Sequence, residues 1–278
     1  MKYHIAKNTV QETLVIPLFA RCICSEHFPH LFFDPEAKRI CDMLDYDFAG
    51  KRKAMESSIG LFGALEVAQR QYDLRCEVEA YLQTHPQAAI VNMGCGLDDT
   101  FHKCDNGFAK GYNIDLPDVI QLRNKLLPAS SREINLACDL NDPSWMDQID
   151  ASHGVIFFAA GVFYYFKTND LKRLFATMAK QFPSGVLVFD SCNKTGAKMM
   201  RKTWLKEADI TDVEAYFYVN DEKELYAEHF TSITAKSYMR GYRDIYKDVG
   251  WLHKLMILFC DKFVNMKIIR IEFKENKK

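Results

Sequence analysis

Ala89-Ile90-Val91-Asn92-Met93-Gly94-Cys95-Gly96-Leu97-Asp98-Asp99 is a short apolar run that breaks into a glycine turn and leads into a helix-compatible stretch. A strand feeding a ligand-approaching loop has this form, because glycine permits the sharp reversal and close backbone approach. Gly111-Tyr112-Asn113-Ile114-Asp115 ends a second short strand on an acid. Asp115 lies 21 positions after Gly94, near the spacing at which an acid at the second strand tip accepts from ribose hydroxyls. Together the two motifs point to a nucleoside-containing cofactor. A dinucleotide fingerprint has a third glycine for close helix packing; here that position is Asp99, an acid that repels a pyrophosphate at a helix N-terminus. A cationic, phosphate-free ligand fits better. The expectation is S-adenosylmethionine, with S-adenosylhomocysteine as product, rather than a nicotinamide. A glycine turn that binds nothing is the plain alternative.

Downstream, strand and helix alternate. Strands are read at Ala88–Met93, Gly111–Asp115, about Glu133–Cys138, Gly154–Ala159 and Val186–Asp190. Between them, Pro117 opens a helix through Leu127 with Arg123 and Lys125 facing water, Asp142-Pro143 opens a short one, and Asn169 caps one to about Gln181. Such alternation means a parallel sheet with helices on both faces. After Asp190 the pattern changes: a helix over Lys194–Glu207, an aromatic and charged insertion at about 207–247 with a sixth strand, a helix over Trp251–Phe263, and a last strand in Val264–Lys274.

Upstream, residues 1–85 read as an N-terminal helical cap on a domain spanning 86–278, the two forming one compact unit. Thr9–Cys24 is apolar but carries Pro17, which predicts an interrupted helix. Asp34-Pro35-Glu36 is a helix start, running to about Leu44. Asp45–Lys53 reads as a loop over the cofactor, and Met55–Leu82 as a long helix closed by His85-Pro86.

Composition sets bounds. The 278 residues are 48% hydrophobic with a net charge of −1, so a full core is expected and nucleic acid is a disfavoured partner. No apolar run approaches the ~18 residues of a membrane span, and no signal-peptide order opens the chain, so a cytoplasmic protein is expected. Nine scattered cysteines with no CxxC pair read as reduced, packed thiols rather than a metal site. No signal for an oligomeric state is present.

Ligands of open α/β sheets sit beyond the carboxyl ends of the strands. That gathers Met93, Gly94, Cys95 and Gly96; Asp115 and Leu116; Asp139 and Leu140; and Ala159, Ala160 and Gly161. Asp115 is expected to accept from ribose and Asp139 from an adenine amino group. The plain alternatives are helix-start acids ahead of Pro117 and Pro143. Tyr164 and Tyr165, past the fourth strand, are candidates to line and position the acceptor. Arg21, Arg240 and Arg243, the last two flanking Tyr242, are candidates for an anionic acceptor, since arginines among aromatics grip planar anions. No histidine stands out as a base, which favours an acceptor that is already ionised.

Val91-Asn92-Met93-Gly94-Cys95-Gly96-Leu97-Asp98, Asp105-Asn106-Gly107, Asp115-Leu116-Pro117-Asp118-Val119-Ile120 and Arg123-Asn124-Lys125-Leu126-Leu127-Pro128 resemble the leucine carboxyl methyltransferase family. Thr13–Arg21, Phe33–Ala37 and Phe182-Pro183 with Val188-Phe189-Asp190 carry the resemblance toward its tetracenomycin-type polyketide O-methyltransferase branch, over about residues 10–195. The resemblance implies a Rossmann-like, seven-stranded class I methyltransferase sheet with the helical cap and a substrate-side insertion. It implies methyl transfer from S-adenosylmethionine to a carboxylate or phenolic oxygen of a small molecule, with Arg70 on the methionine carboxylate. Ala160 stands where the family shows an acid, Lys103 for an arginine and Arg75 for an aspartate. Ala160 keeps open a cofactor binder without turnover, and a large acidic or aromatic insertion face would indicate a protein carboxyl methyltransferase.

Overall fold

The structure, a computed structural model, describes residues 2–5, 10–200 and 217–275. It opens with β1 (Tyr3–His4), α1 (Val10–His27), α2 (Pro35–Met43), β2 (Leu44–Asp45), α3 (Phe48–Met55) and α4 (Ser58–Thr84). Helix α1 runs unbroken through Pro17, contrary to the interruption expected from the sequence. An interior proline costs about 3 kcal/mol. Val15, Leu18, Phe19 and Ile23 are all buried, and at about 1.5–3 kcal/mol each their burial outweighs it. The stretch Asp45–Lys53 is not a loop over the cofactor. It is mostly α3, N-capped by the Asp47 side chain on the Gly50 N–H, with Phe48 against Phe19 of α1. Helix α4 begins only at Ser58, because the Ser57 hydroxyl caps Gly60.

The sheet strands are β3 (Ala89–Met93), β4 (Lys110–Asp115), β5 (Glu133–Ala137), β6 (Val155–Ala159), β7 (Val186–Ser191), β8 (Phe230–Ser237) and β9 (Lys267–Phe273), in the order β5-β4-β3-β6-β7-β9-β8. Strands β3 to β7 are parallel; β9 is antiparallel to both β7 and β8. Alternate residues feed two cores. Ile90, Ile156, Phe158 and Val188 pack toward α4, while Val91, Phe157, Leu187 and Phe189 pack toward Trp145 and Phe175 on the other face. Burial on both faces is why β6 is apolar throughout and β3 and β7 nearly so.

The intervening helices are α5 (Thr100–Cys104), α6 (Pro117–Leu126), α7 (Thr168–Gln181), α8 (Lys194–Met200) and α9 (Trp251–Phe259). Helix α7 starts after Lys167 rather than with an Asn169 cap. Residues 201–216, part of the expected helix to Glu207 and of the insertion, lie outside the described residues. Chain order reverses between β3 and β6, so their carboxyl ends flank the crevice in which such sheets hold ligands. Among the described residues no helix is long and apolar enough to cross a membrane.

Helix α4 carries a buried acid. Asp73 is fully buried; its Oδ1 accepts from Gln69 Nε2 at 2.6 Å, and its Oδ2 has no hydrogen-bond partner among the described residues. Burial, reinforced by nearby Glu77, pushes its carboxyl up to about 9. The folded state therefore keeps a proton that the unfolded chain releases from about pH 4 upward, so stability falls as pH rises between those values. Asp73→Asn should flatten this slope: in melting curves its advantage over wild type is larger at pH 8 than at pH 5.

Candidate active site

The loop leaving β3 is built on two left-handed residues, Gly94 (φ 66°) and Gly96 (φ 46°). A Cβ on Gly94 would lie 2.5 Å from the Val162 side chain. The N–H groups of Gly94 and Cys95 both donate to the Ile114 carbonyl, at 2.8 and 3.0 Å. The Gly96 N–H donates to Asp115 Oδ2 and the Leu116 N–H to Asp115 Oδ1, each at 2.8 Å. The Asp115 carboxylate is thereby fixed at the tip of β4. Burial raises its pKa, opposed by the two N–H donors. Each oxygen retains acceptor capacity for a hydroxyl.

Arg123, expected to face water, is 1% exposed. Its guanidinium donates to the carbonyls of Gly96 at 3.0 Å and Asp98 at 2.6 Å, and to Asn135 Oδ1 at 3.3 Å. The amphipathic reading put it outside because nothing in α6 reveals that the glycine loop ends against it.

The start of α5 is occupied by the chain's own acids. Asp98 Oδ1 accepts from the Thr100 N–H at 2.8 Å, and Asp99 pairs with Arg21 at 3.1 Å and Lys103 at 2.8 Å. A phosphate is excluded where carboxylates already fill the N-terminus. The site fits a ligand that presents hydroxyls to Asp115 and brings no phosphate.

Across the crevice, buried Asp190 at the end of β7 accepts from the Gly161 N–H at 2.6 Å and from Arg70 Nη1 at 3.3 Å. Gly161 is left-handed (φ 72°), and a Cβ there would meet the Arg70 guanidinium at 2.5 Å. Arg70 is thus held at the tip of β6, its side chain 17% exposed. Ala160 brings no carboxylate, and Asp190 from the next strand supplies one beside Arg70. Tyr164 is buried and Tyr165 is 43% exposed beside the same cluster; burial raises both phenols. Glu66, one turn before Arg70 on α4, is a carboxyl pushed up to about 7 by burial. Its Oε1 accepts from the Cys260 thiol at 3.8 Å.

Of the remaining expected residues, Met93, Cys95, Leu140 and Ala159 are buried strand and turn ends, while Leu116 and Ala160 are half-buried. Asp139 is exposed and accepts from the Asn141 N–H and side-chain amide. Arg21, Arg240 and Arg243, with Tyr242, do not gather at Tyr164 and Tyr165. Arg240 pairs with Asp244 and Asp261, Tyr242 donates to Glu77 on the lower half of α4, and Arg243 donates to the Leu31 carbonyl. Arg21 is buried between Asp34 and Asp99. The segment after β8 turns back along α4 instead of over the strand tips. Asp190, Glu66 and Arg123 escaped the sequence reading; only Asp190, ending an apolar strand, carried a local signal.

The strand order, the glycine loop and an acid at the second strand tip are those of the class I methyltransferase fold. The sequence profile of the leucine carboxyl methyltransferase family matches residues 15–179, and the chain belongs to that family, whose methyl donor is S-adenosylmethionine. It is 25% identical over 184 residues to the tetracenomycin polyketide synthesis O-methyltransferase TcmP of Streptomyces glaucescens, covering 66% of each chain, just under two thirds of that relative. Among solved structures, a DUF574-family protein of Streptomyces avermitilis superposes with a TM-score of 0.62 at 14% identity, over 85% of this chain and 96% of that one. The plantazolicin methyltransferase BpumL, solved with S-adenosylhomocysteine, gives 0.50 at 14% identity over 95% and 99%. At such identity these two superpositions establish the fold. Among the described residues no group of three or more His, Cys, Asp or Glu side chains is placed to hold a metal ion.

Arg123→Met removes charged donors from two loop carbonyls and should cost about 3 kcal/mol. Denaturant unfolding should show a lower midpoint at unchanged slope.

Proposed function

We propose that the chain transfers a methyl group to an oxygen of a small-molecule acceptor, a carboxylate or a phenol. The observation that carries this is the pair of opposite charges fixed across the β3–β6 crevice: the Asp115 carboxylate on the glycine loop and the Arg70 guanidinium on Asp190. Asp115 takes the ribose hydroxyls of the donor and Arg70 its carboxylate. When bound, S-adenosylmethionine supplies an electrophilic methyl on a positively charged sulfur. The chain's own work is alignment, which in-line displacement requires. The Gly94–Gly96 turn and the Gly161 turn set the two walls between which the donor lies, and Tyr164 and Tyr165 border the acceptor side. An ionised carboxylate acceptor needs no base. A phenol does, and Glu66, near Arg70 and ionising at about 7, is the group suited to take its proton. The likeness to TcmP supports oxygen as the acceptor atom.

A binder without turnover is the second reading, favoured by Ala160 where the family resemblance calls for an acid. Calorimetry with S-adenosylmethionine and S-adenosylhomocysteine tests both. Wild type should bind each; Asp115→Ala and Arg70→Met should weaken binding at least tenfold, by loss of bonds to charged groups. No binding by a folded wild type sinks the proposal. Binding with no turnover across aromatic acids and phenols leaves the second reading. With a phenolic acceptor, the rate should rise with pH through about 7 and lose that limb in Glu66→Gln; with a carboxylate acceptor the limb is absent.

A further inference from the structure

On the side of α4 turned away from Arg70, Ala68, Gln71, Tyr72 and Arg75 form one wall of a cavity of about 190 Å³. Arg21 of α1, Phe32 to Asp34 ahead of α2, Lys103 of α5 and Arg243 after β8 complete it. Four cationic side chains line it against a single carboxylate, Asp34. That carboxylate is already taken, by Arg21 at 3.3 Å and Lys103 at 3.0 Å. Arg243 has no acid within ion-pair distance among the described residues; its donors go to the carbonyls of Leu31 and His30. Arg75 is already paired at the surface, its Nε 3.2 Å from Glu79 Oε1.

Aromatic faces surround these charges. The Arg243 guanidinium lies 5.7 Å from the Phe32 ring centre and 5.6 Å from that of Tyr72; Arg75 lies 5.3 Å from Tyr72. Phe33, on the cavity lining, is 76% exposed, a large apolar ring with most of its surface in water. A guanidinium that is stacked, partly desolvated and without an acid is an anion site in waiting, because planar bidentate bonding to a carboxylate recovers what burial cost it.

We infer that this cavity is a second small-molecule site, taking a planar aromatic carboxylate with its anionic end on Arg243 and its ring against Phe33. The volume is below the ~300 Å³ at which drug-sized sites begin, so a one-ring acid is the size class. The site stands apart from the methyl-transfer centre by the thickness of α4, about 10 Å with side chains. It shares no residue with the Asp115–Arg70 pair, and its occupancy does not depend on which acceptor the chain methylates. It does touch the cofactor loop from behind: Arg21 and Lys103 bond Asp99, and Gln71 bonds Asp98 at 2.7 Å.

The test is a titration of the full-length protein at low salt with benzoate and with its uncharged isostere benzamide, followed by proton NMR. Benzoate should bind saturably, with a dissociation constant of about a millimolar or below, the range open to a one-ring ligand. Benzamide should bind at least tenfold more weakly. Arg243→Met should weaken benzoate at least tenfold, and Phe33→Ala, which removes a mostly exposed ring and leaves the fold intact, several-fold. Arg70→Met should leave it unchanged. The inference is overturned by absence of benzoate binding, by equal binding of benzamide, by Phe33→Ala binding as wild type does, or by loss in Arg70→Met with retention in Arg243→Met, which would put the ligand at the transfer centre.

Discussion

The buried Arg123 guanidinium governs the site. A loop that reverses through two left-handed residues turns its carbonyls inward, where each needs a donor. One planar group meets Gly96, Asp98 and Asn135 together, a reach that a lysine's compact ammonium lacks. With those carbonyls anchored, the Gly96 N–H is aimed at Asp115 and the side chains of Asp98 and Asp99 are presented at the start of α5. The fixed Asp115 carboxylate, the acids at the start of α5 and the seat for α1 all descend from that anchoring.

Those acids then act as a joint. Asp99 receives Arg21 from α1 and Lys103 from α5, and Asp34 shares the same two cations. Arg21 is buried, so its charge is held only because two carboxylates compensate the lost water. The position where a dinucleotide protein keeps a glycine for packing is therefore used here to fasten the helical cap to the loop. The carboxylate that holds α1 also puts a negative charge at the start of α5, where a phosphate would otherwise be favoured.

The strands were legible because burial on both faces leaves a continuous apolar run, and the glycine turn because few other residues reach positive φ. Asp115 was legible through its spacing from that turn. What stayed hidden rests on partners distant in sequence. Arg123 looks like any solvated charge on an amphipathic helix until the carbonyls 25 and 27 positions earlier are placed beside it. Ser237–Arg243 reads as an anion grip, and the structure does give Arg243 aromatic neighbours, but they come from Phe32 and Tyr72 rather than from its own segment. Pro17 points to a break because local propensity carries no sign of the buried side chains around it. Asp45–Lys53 misled because it has no buried face to set a helical period; a side-chain cap at Asp47 makes the helix instead.

Helix α4 spans 27 residues without a break, and its partners are fastened along much of its length: Tyr238 at Glu66, Asp190 at Arg70, Asp98 of the loop after β3 at Gln71, Arg270 at Glu77 and Val155 at Tyr81. Each residue added to a helix turns everything beyond it by about 100°. One codon gained or lost between Glu66 and Tyr81 would put every later side chain on the wrong side at once. The helix behaves as a keyed shaft whose length is set by the partners spaced along it. Chimeras that exchange the cap between relatives should be joined at its two ends and never within the shaft.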